Sequence, residues 1–440
     1  MKLSFTAILI AAFALPALSQ DAAKTDVPQD TQASAPGPLI GQSVVSRPLS
    51  ESTSPNYVTG GIAISQMYTD NAELTTTNEI SDLSYNIVPH LAFSSATPRL
   101  AVNAGVLAGF LVNRTLSERN QATQTGDFDL SYRLAQFVTL RVSDEFTNST
   151  GLWSGTGAGT GSTGPGIGAL QQANNSLFTF GRFRNNVVLA DLSGQFTAES
   201  YAGVRGTQSY LWFPDGATDP VLGPLYGGNS YDAEAYYNHH FSARNWGGIV
   251  LRAQRFDVNR LEGRTDAASL VFMYAANITP TMNLTFFGGP ELSVSSVPQG
   301  LATPVPAFDR RLWTPVAGAV FGWQGQRTSV SASFTHQISN GGGLASAVTL
   351  TGAEAQLMRR IGRRLEIGPG FVYGQNVPIV PSPTIRTYSG EFQATYRVSN
   401  YSFSAGYSRD DRTAVNSTTD AVANRAWVSF SYDFVRPLGR

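Results

Sequence analysis

The sequence lacks cysteine altogether: none of its 440 residues can form a disulfide, supply a thiolate to a metal or carry the lipid of a lipoprotein. Histidine is nearly as scarce, and a catalytic triad needs a histidine within reach of a nucleophile and an orienting group. The histidines here are isolated in segments that read as strands, at positions 90, 239, 240 and 336. We therefore predict no enzyme, no metal site and no cofactor.

Charge is also low. Charged residues make up 14% of the chain, against about a quarter in a typical soluble domain. The 30 basic and 31 acidic residues nearly cancel, to a net charge of −1, which argues against nucleic acid as a partner because phosphate binding needs a basic excess. Beyond the first 19 residues, no stretch offers the roughly 20 continuous apolar residues of a membrane helix. Aromatic residues nevertheless reach 11%, with 43 glycines, a combination that favours a membrane β-barrel over a soluble enzyme.

The N-terminal part is expected to lie outside the fold. Residues 1–19 have the layout of a secretory signal peptide, with Lys2, an apolar run and the small-residue site Ala17-Leu18-Ser19. Residues 20–56 are polar and rich in Pro, Ser, Thr and Ala, which predicts a disordered periplasmic leader. The barrel is expected over residues 57–434, followed by a periplasmic tail over 435–440.

From Tyr57 onward, apolar and polar residues alternate with the period of β-strands. In 328–339 the residues Val330, Ala332, Phe334 and Ile338 share one face, and Ser and Thr occupy the other. Short turns, one of them at Leu192–Ser193, alternate with longer loops and divide the chain into about eighteen strands, with sixteen as the alternative count. This pattern predicts an all-β fold, a transmembrane antiparallel up-and-down β-barrel. Loop 150–176, the longest, would either fold inward as a constriction or stay on the surface.

The polarity of such a barrel has to be inverted. A ring of eighteen strands is too wide for side chains to fill, so its interior holds water or a plug. The aromatic row must then face outward, into lipid, and the sheet must close because unpaired edges in hydrocarbon are costly. A soluble sandwich or propeller would need a blade repeat or a second domain, and the sequence contains neither.

The inner row carries charges of both signs. A strongly selective pore would show one sign, so facing acids and arginines predict pairs across a hydrated lumen, although charges that merely brace the wall would look the same. The candidate pore-lining residues are Arg133, Arg141, Glu199, Arg205, Asp232, Glu234, Arg252, Glu291, Glu391 and Arg397.

The final strand ends on Phe430-Ser-Tyr432-Asp-Phe434. It is similar to the aromatic-x-aromatic signal of Gram-negative outer-membrane β-barrel proteins, and the chain resembles a porin-like, uncharacterised group of them, also through GGGLASAV (341–348) and RRIGRRLEIGPGFVYG (359–374). The resemblance implies that Phe430, Tyr432 and Phe434 form an assembly signal read by barrel-assembly machinery. It further implies periplasmic chaperones, outer-membrane lipid and lipopolysaccharide as partners. Family members usually end on the terminal Phe, whereas six residues follow Phe434 here.

We interpret the chain as an exported protein of the cell outer membrane that passes small polar solutes. Two alternatives remain at this point: export of a surface polysaccharide, and a plugged structural or adhesive barrel. A periplasmic partner or a second copy of the chain is also left open.

Overall fold

The computed structural model describes residues 56–149, 182–214, 217–219, 223–259, 263–297, 308–344, 346–379, 383–414 and 420–438. The signal peptide, nearly all of the leader and loop 150–176 lie outside these residues. Within the described ranges, no helix is long and apolar enough to cross a membrane.

Twenty strands form in the described chain. They are β1 (Tyr57–Thr69), β2 (Asp82–Ala96), β3 (Leu100–Asn113), β4 (Gln121–Ala135), β5 (Val138–Ser149), β6 (Phe183–Gln195), β7 (Ser200–Trp212), β8 (Thr218–Asp219), β9 (Gly223–Pro224), β10 (Gly228–His240), β11 (Asn245–Val258), β12 (Gly263–Thr279), β13 (Met282–Val297), β14 (Phe308–Gln324), β15 (Thr328–Ser339), β16 (Val348–Ile361), β17 (Leu365–Pro378), β18 (Ile385–Val398), β19 (Tyr401–Ala414) and β20 (Asp420–Pro437).

Eighteen of the strands form one closed antiparallel sheet. Each pairs with its neighbours along the chain, β7 pairs with β10, and β20 returns to pair with β1 from Tyr57–Pro437 to Thr69–Arg425. The short strands β8 and β9 form a separate hairpin in the loop between β7 and β10. The predicted all-β, eighteen-stranded antiparallel barrel is confirmed.

The two faces of the sheet follow the sequence alternation. In β12 the outward residues Phe272 and Tyr274 are exposed, while the inward residues Val271 and Met273, which alternate with them, are buried. The same holds around the ring, so the outer surface is the apolar one. No single hydrophobic core exists among the described residues; small apolar clusters lie inside the ring and at its mouth.

Two predicted boundaries differ from the structure. The turn expected at Leu192–Ser193 was wrong: β6 continues to Gln195, Leu192 pairs with Leu140 and Val204 inside the sheet, and the turn is 196–199. Leu192 and Ser193 are instead part of a strand that pairs with both neighbours. At the other end, β20 continues to Pro437, so residues 435–437, expected as tail, pair with β1.

Candidate functional site

The outer face of β14 marks the level of the membrane. Trp313 and Trp323 both point outward and are 64% and 37% exposed, with Pro315, Ala317, Ala319 and Phe321 between them on the same row. Ten strand residues at the usual rise and tilt span about 25 Å, the height of the apolar band of outer-membrane barrels. Tryptophan at each edge of such a band is the typical interfacial arrangement. The barrel therefore spans a membrane, and its lumen is the candidate functional site.

A row of charged side chains crosses the inner wall from β6 to β11. Asp191, Arg205, Glu234 and Arg252 stand directly opposite one another on successive strands. The Arg205 Nε lies 3.1 Å from Asp191 Oδ2, and its Nη1 lies 3.5 Å from Glu234 Oε2. Arg252 Nε lies 3.4 Å from Glu234 Oε1 and also pairs with Asp232. The signs alternate, so each arginine is shared between two carboxylates.

This charge row is packed into the wall. Arg205 and Glu234 are buried, and Tyr236 donates its hydroxyl hydrogen bond to Asp191 over 3.0 Å while the Arg205 guanidinium lies over its ring. The expectation of pairs across a hydrated lumen is therefore wrong for these residues: the pairs run along the wall, between neighbouring strands. Burial explains the arrangement, because a buried charge must have its partner at hydrogen-bond distance.

The inner walls of β4–β5 and of β16–β18 carry acidic residues of a different kind. Asp127 and Glu145 face each other in register on β4 and β5, and Glu354 and Glu391 lie on β16 and β18. Gly105 and Gly370 leave room for them: a Cβ added at Gly370 would lie 2.8 Å from Glu391 Oε1. None of the four carboxylates has an arginine or histidine partner in the described chain. The candidate Glu291, buried on β13, has no arginine or histidine at ion-pair distance either, but it accepts the N–H of Ile338.

The remaining candidate pore-lining residues lie in several settings. Arg141 pairs with Asp129 over 2.7 Å on the inner wall, and Arg397 pairs with Glu366 over 3.4 Å at the turn end of β18. Arg133 is exposed near the turn end of β4. Glu199 was predicted to lie on a strand of the inner row. It lies instead in the exposed turn 196–199, because β6 ends later than expected.

Loops close part of the mouth. Phe213 and Leu225, in the loop that carries β8 and β9, cluster with Phe183 at the start of β6 and with Ile385 and Ala414 at the ends of β18 and β19. Strands β6 and β18 lie about half the ring apart, so this loop crosses the mouth and contacts the far wall. Tyr226 N–H also donates to Gly343 O over 2.9 Å in the loop between β15 and β16.

The sequence analysis missed three residues of the inner wall. Asp191, Tyr236 and Gln337 complete the charge row: Gln337 Oε1 accepts from Arg252 Nη1 over 3.3 Å. Alternation already puts Asp191 and Tyr236 on the inner row, but only the register between strands shows which of its members meet. Gln337 contacts Arg252 because the end of β15 bends inward, which no local pattern reveals.

Among known proteins, no family model matches the chain and no curated protein matches its sequence. Solved structures with similarity include OccAB3 of Acinetobacter baumannii, with 10% identity, a TM-score of 0.43, and coverage of 87% of this chain and 99% of that one. The outer membrane protein opdK of Pseudomonas aeruginosa has 9% identity, a TM-score of 0.42, and coverage of 86% of this chain and 99% of that one. The structure of OpdK with vanillate has 9% identity, a TM-score of 0.43 and the same two coverages. Identities this low give no information on the solute.

Proposed function

We propose that the barrel is an outer-membrane channel for small polar solutes with a weak preference for cations. One observation supports the selectivity. Four arginines of the inner wall each have a carboxylate partner: Arg141, Arg205, Arg252 and Arg425. Four carboxylates have no arginine or histidine partner among the described residues: Asp127, Glu145, Glu354 and Glu391. Paired charges cancel at a distance, so the four free carboxylates dominate the field of the lumen. Such a field raises the local concentration of cations.

Reversal potentials in planar bilayers test the selectivity. Under a KCl gradient, the wild-type channel should be cation-favouring, and Glu354→Gln with Glu391→Gln should bring the reversal potential closer to zero. Thr395→Val, on the same strand and the same face as Glu391, changes no charge and serves as the matched control. An unchanged reversal potential in the double variant would show that these carboxylates do not set the selectivity.

The loop across the mouth favours a second candidate, a barrel that is closed at rest. Because Phe213 and Leu225 hold the loop against the far wall, Phe213→Ala with Leu225→Ala should release it and raise the conductance. A silent wild type with a conducting double variant would indicate a gated channel. Silence in both proteins, each folded, would contradict the channel proposal.

A further inference from the structure

The barrel wall has one incomplete junction. β14 pairs with β13 over its whole length, from Val297–Phe308 to Met282–Trp323. It pairs with β15 only from Gln324–Ser329 to Ala317–His336. Above Ala317, residues 308–316 have no partner strand on the β15 side within the described chain. We call this junction the β14–β15 seam.

A proline accounts for the end of the pairing. Pro315 of β14 faces Pro290 of β13 in register. Two opposed prolines have no N–H to exchange, so Pro315 and Pro290 form a non-hydrogen-bonded pair of the β13–β14 ladder. At such a position the N–H of β14 would point to the other neighbouring strand, β15, and proline has no N–H. The strand therefore offers no donor there, two residues beyond the last pair.

The end of β15 is held inside the barrel instead. Ile338 N–H donates to Glu291 Oε2 over 3.1 Å, and Gln337 accepts from Arg252 over 3.3 Å. Ile338 is 1% exposed and belongs to the same buried cluster as Phe256 of the inner wall. The expectation that Ile338 shares the lipid-facing row of Phe334 is thus wrong, because contacts with β11 and β13 pull the strand end inward.

The seam lies within the outer half of the membrane band. Its unpaired part begins above Ala317 and reaches Trp313 at the interface, and the three residues of β15 beyond His336 cover about 10 Å at strand rise. Half of the hydrocarbon core is about 15 Å thick. An open edge at this depth is costly, although Pro315 removes one of the groups that would be left unpaired.

The surroundings of the seam show which molecule it suits. Its membrane part is apolar, lined on the outer face by Pro315 and Ala317, with Trp313 the most exposed large hydrophobic side chain on any described barrel strand. Directly above it, Arg311 is exposed on the same outer row, opposite Val294 of β13, and has no carboxylate partner in the described chain. An apolar slot below a free positive charge is complementary to an apolar chain with an anionic head.

We propose that the β14–β15 seam is a lateral binding site for a single-chain anionic amphiphile of the fatty-acid class. The acyl chain lies against Pro315, Ala317 and Trp313, and Arg311 holds the carboxylate at the membrane surface. The site opens to the outer leaflet and does not depend on whether the lumen conducts.

The absence of cysteine from the sequence allows a direct test of the geometry. In reconstituted protein, Ala317→Cys with His336→Cys should form a disulfide on oxidation, because these residues are paired. Thr314→Cys with Ser339→Cys would be a pair three residues further out if the register continued; it leaves Pro315 in place and should not form one. Equal cross-linking of both pairs would show that the seam is closed and would overturn the proposal.

Ligand binding is tested with a fluorophore on Ala317→Cys in nanodiscs, titrated with doxyl-stearate. We expect saturable quenching, with the half-saturating concentration raised about tenfold, or about 1.4 kcal/mol, by Arg311→Gln. The matched control is Gln66→Cys, on the outer row of the fully paired β1–β20 junction, which should show only non-saturating quenching by partitioning.

Two further probes separate the sources of the anionic head. Doxyl-stearate methyl ester has the same chain without the charge and should lose saturation. Doxyl-phosphatidylglycerol carries two chains and a phosphate and should quench both labelled sites alike. Saturable binding of the phospholipid, or identical fatty-acid curves at both sites, would overturn the proposed ligand.

Discussion

Two junctions of the barrel contrast sharply. The β1–β20 junction joins strands from opposite ends of the chain, yet it is paired from Tyr57–Pro437 to Thr69–Arg425. The β14–β15 seam joins strands linked by the short turn 325–327, yet its pairing stops at Ala317–His336. Closeness in sequence thus does not decide where the wall is complete.

Side chains account for the difference. At the closing junction, His90 Nε2 of β2 lies 2.8 Å from Asp433 Oδ1 of β20, so the pair bridges over β1. Asn424 of β20 also binds Asp70 just beyond β1. At the seam, Pro315 offers no donor, and Glu291 and Arg252 bind the end of β15 elsewhere. The contacts of neighbouring strands reinforce pairing in one place and compete with it in the other.

The largest effect is expected from the outer row of the closing strand. Phe430→Ala, Tyr432→Ala and Phe434→Ala together remove both the proposed assembly signal and the aromatic contacts of Phe430 and Tyr432 with Tyr401. We expect almost no folded barrel in the outer membrane, measured as loss of the heat-modifiable band on gels. Ser429→Ala with Ser431→Ala changes the inner row of the same strand and should leave the band in place. A normal yield of the triple variant would contradict an assembly role.

A smaller effect is expected at Gly61, which lies beneath the His90–Asp433 bridge. A Cβ there would lie 2.2 Å from Tyr432 O and 2.7 Å from Asp433 Oδ1, and backbone cannot move aside. Gly61→Ala should lower the free energy of unfolding by about 1–3 kcal/mol, as overpacking usually does. Gly206→Ala on β7, where an added Cβ meets nothing within 4 Å, is the control in the same denaturant titration. Equal stability of the two variants would show that closure does not depend on this contact.

The fold could be predicted because its signal is local. Alternation of apolar and polar residues in each strand fixes which row faces lipid. Counting the alternating segments then gives the number of strands and the lengths of the loops between them. The turn near Leu192 was misplaced because Ser193-Gly194 is compatible with both a turn and a strand, and only the partners in β5 and β7 decide between them.

The site depended on information that no single segment contains. Arg205 was identified as an inward charge, but its partners Asp191 and Glu234 are set by the register of three strands. Ile338 was assigned to the wrong side because Glu291, 47 residues away, accepts its N–H. Pro315 was the available signal for the seam: a proline in the interior of a membrane strand marks a missing bond to a neighbour.

Restoring a backbone N–H at position 315 should extend the pairing at the β14–β15 seam. Pro315→Thr supplies an N–H directed at β15, and we expect pairing to extend beyond Ala317 with a gain of at most about 1 kcal/mol, the net value of one hydrogen bond. Denaturant unfolding in lipid measures the gain, and saturable quenching at a labelled Ala317→Cys should weaken. Ala319→Thr adds the same side chain to the outer row where β14 and β15 are already paired, so it separates the donor from the hydroxyl. A loss of stability specific to Pro315→Thr would contradict the role given to this proline.

The smallest effect concerns Asp70 at the closing junction. Burial acts to raise the pKa of its carboxyl, but hydrogen bonds from the side chain and backbone of Asn424 outweigh burial and leave the pKa below its ordinary value. The charged form therefore stabilises the folded state above about pH 4, the unfolded pKa of aspartate, and this contribution disappears as pH falls through the lower native pKa. Asp70→Asn should lower the Tm slightly at pH 7 and not at pH 2. Glu79→Gln is the control. It also removes one carboxylate from the loop between β1 and β2, and all remaining carboxylates titrate alike in both variants. A difference that persists unchanged at low pH would mean that the Asp70–Asn424 contact acts through shape rather than charge.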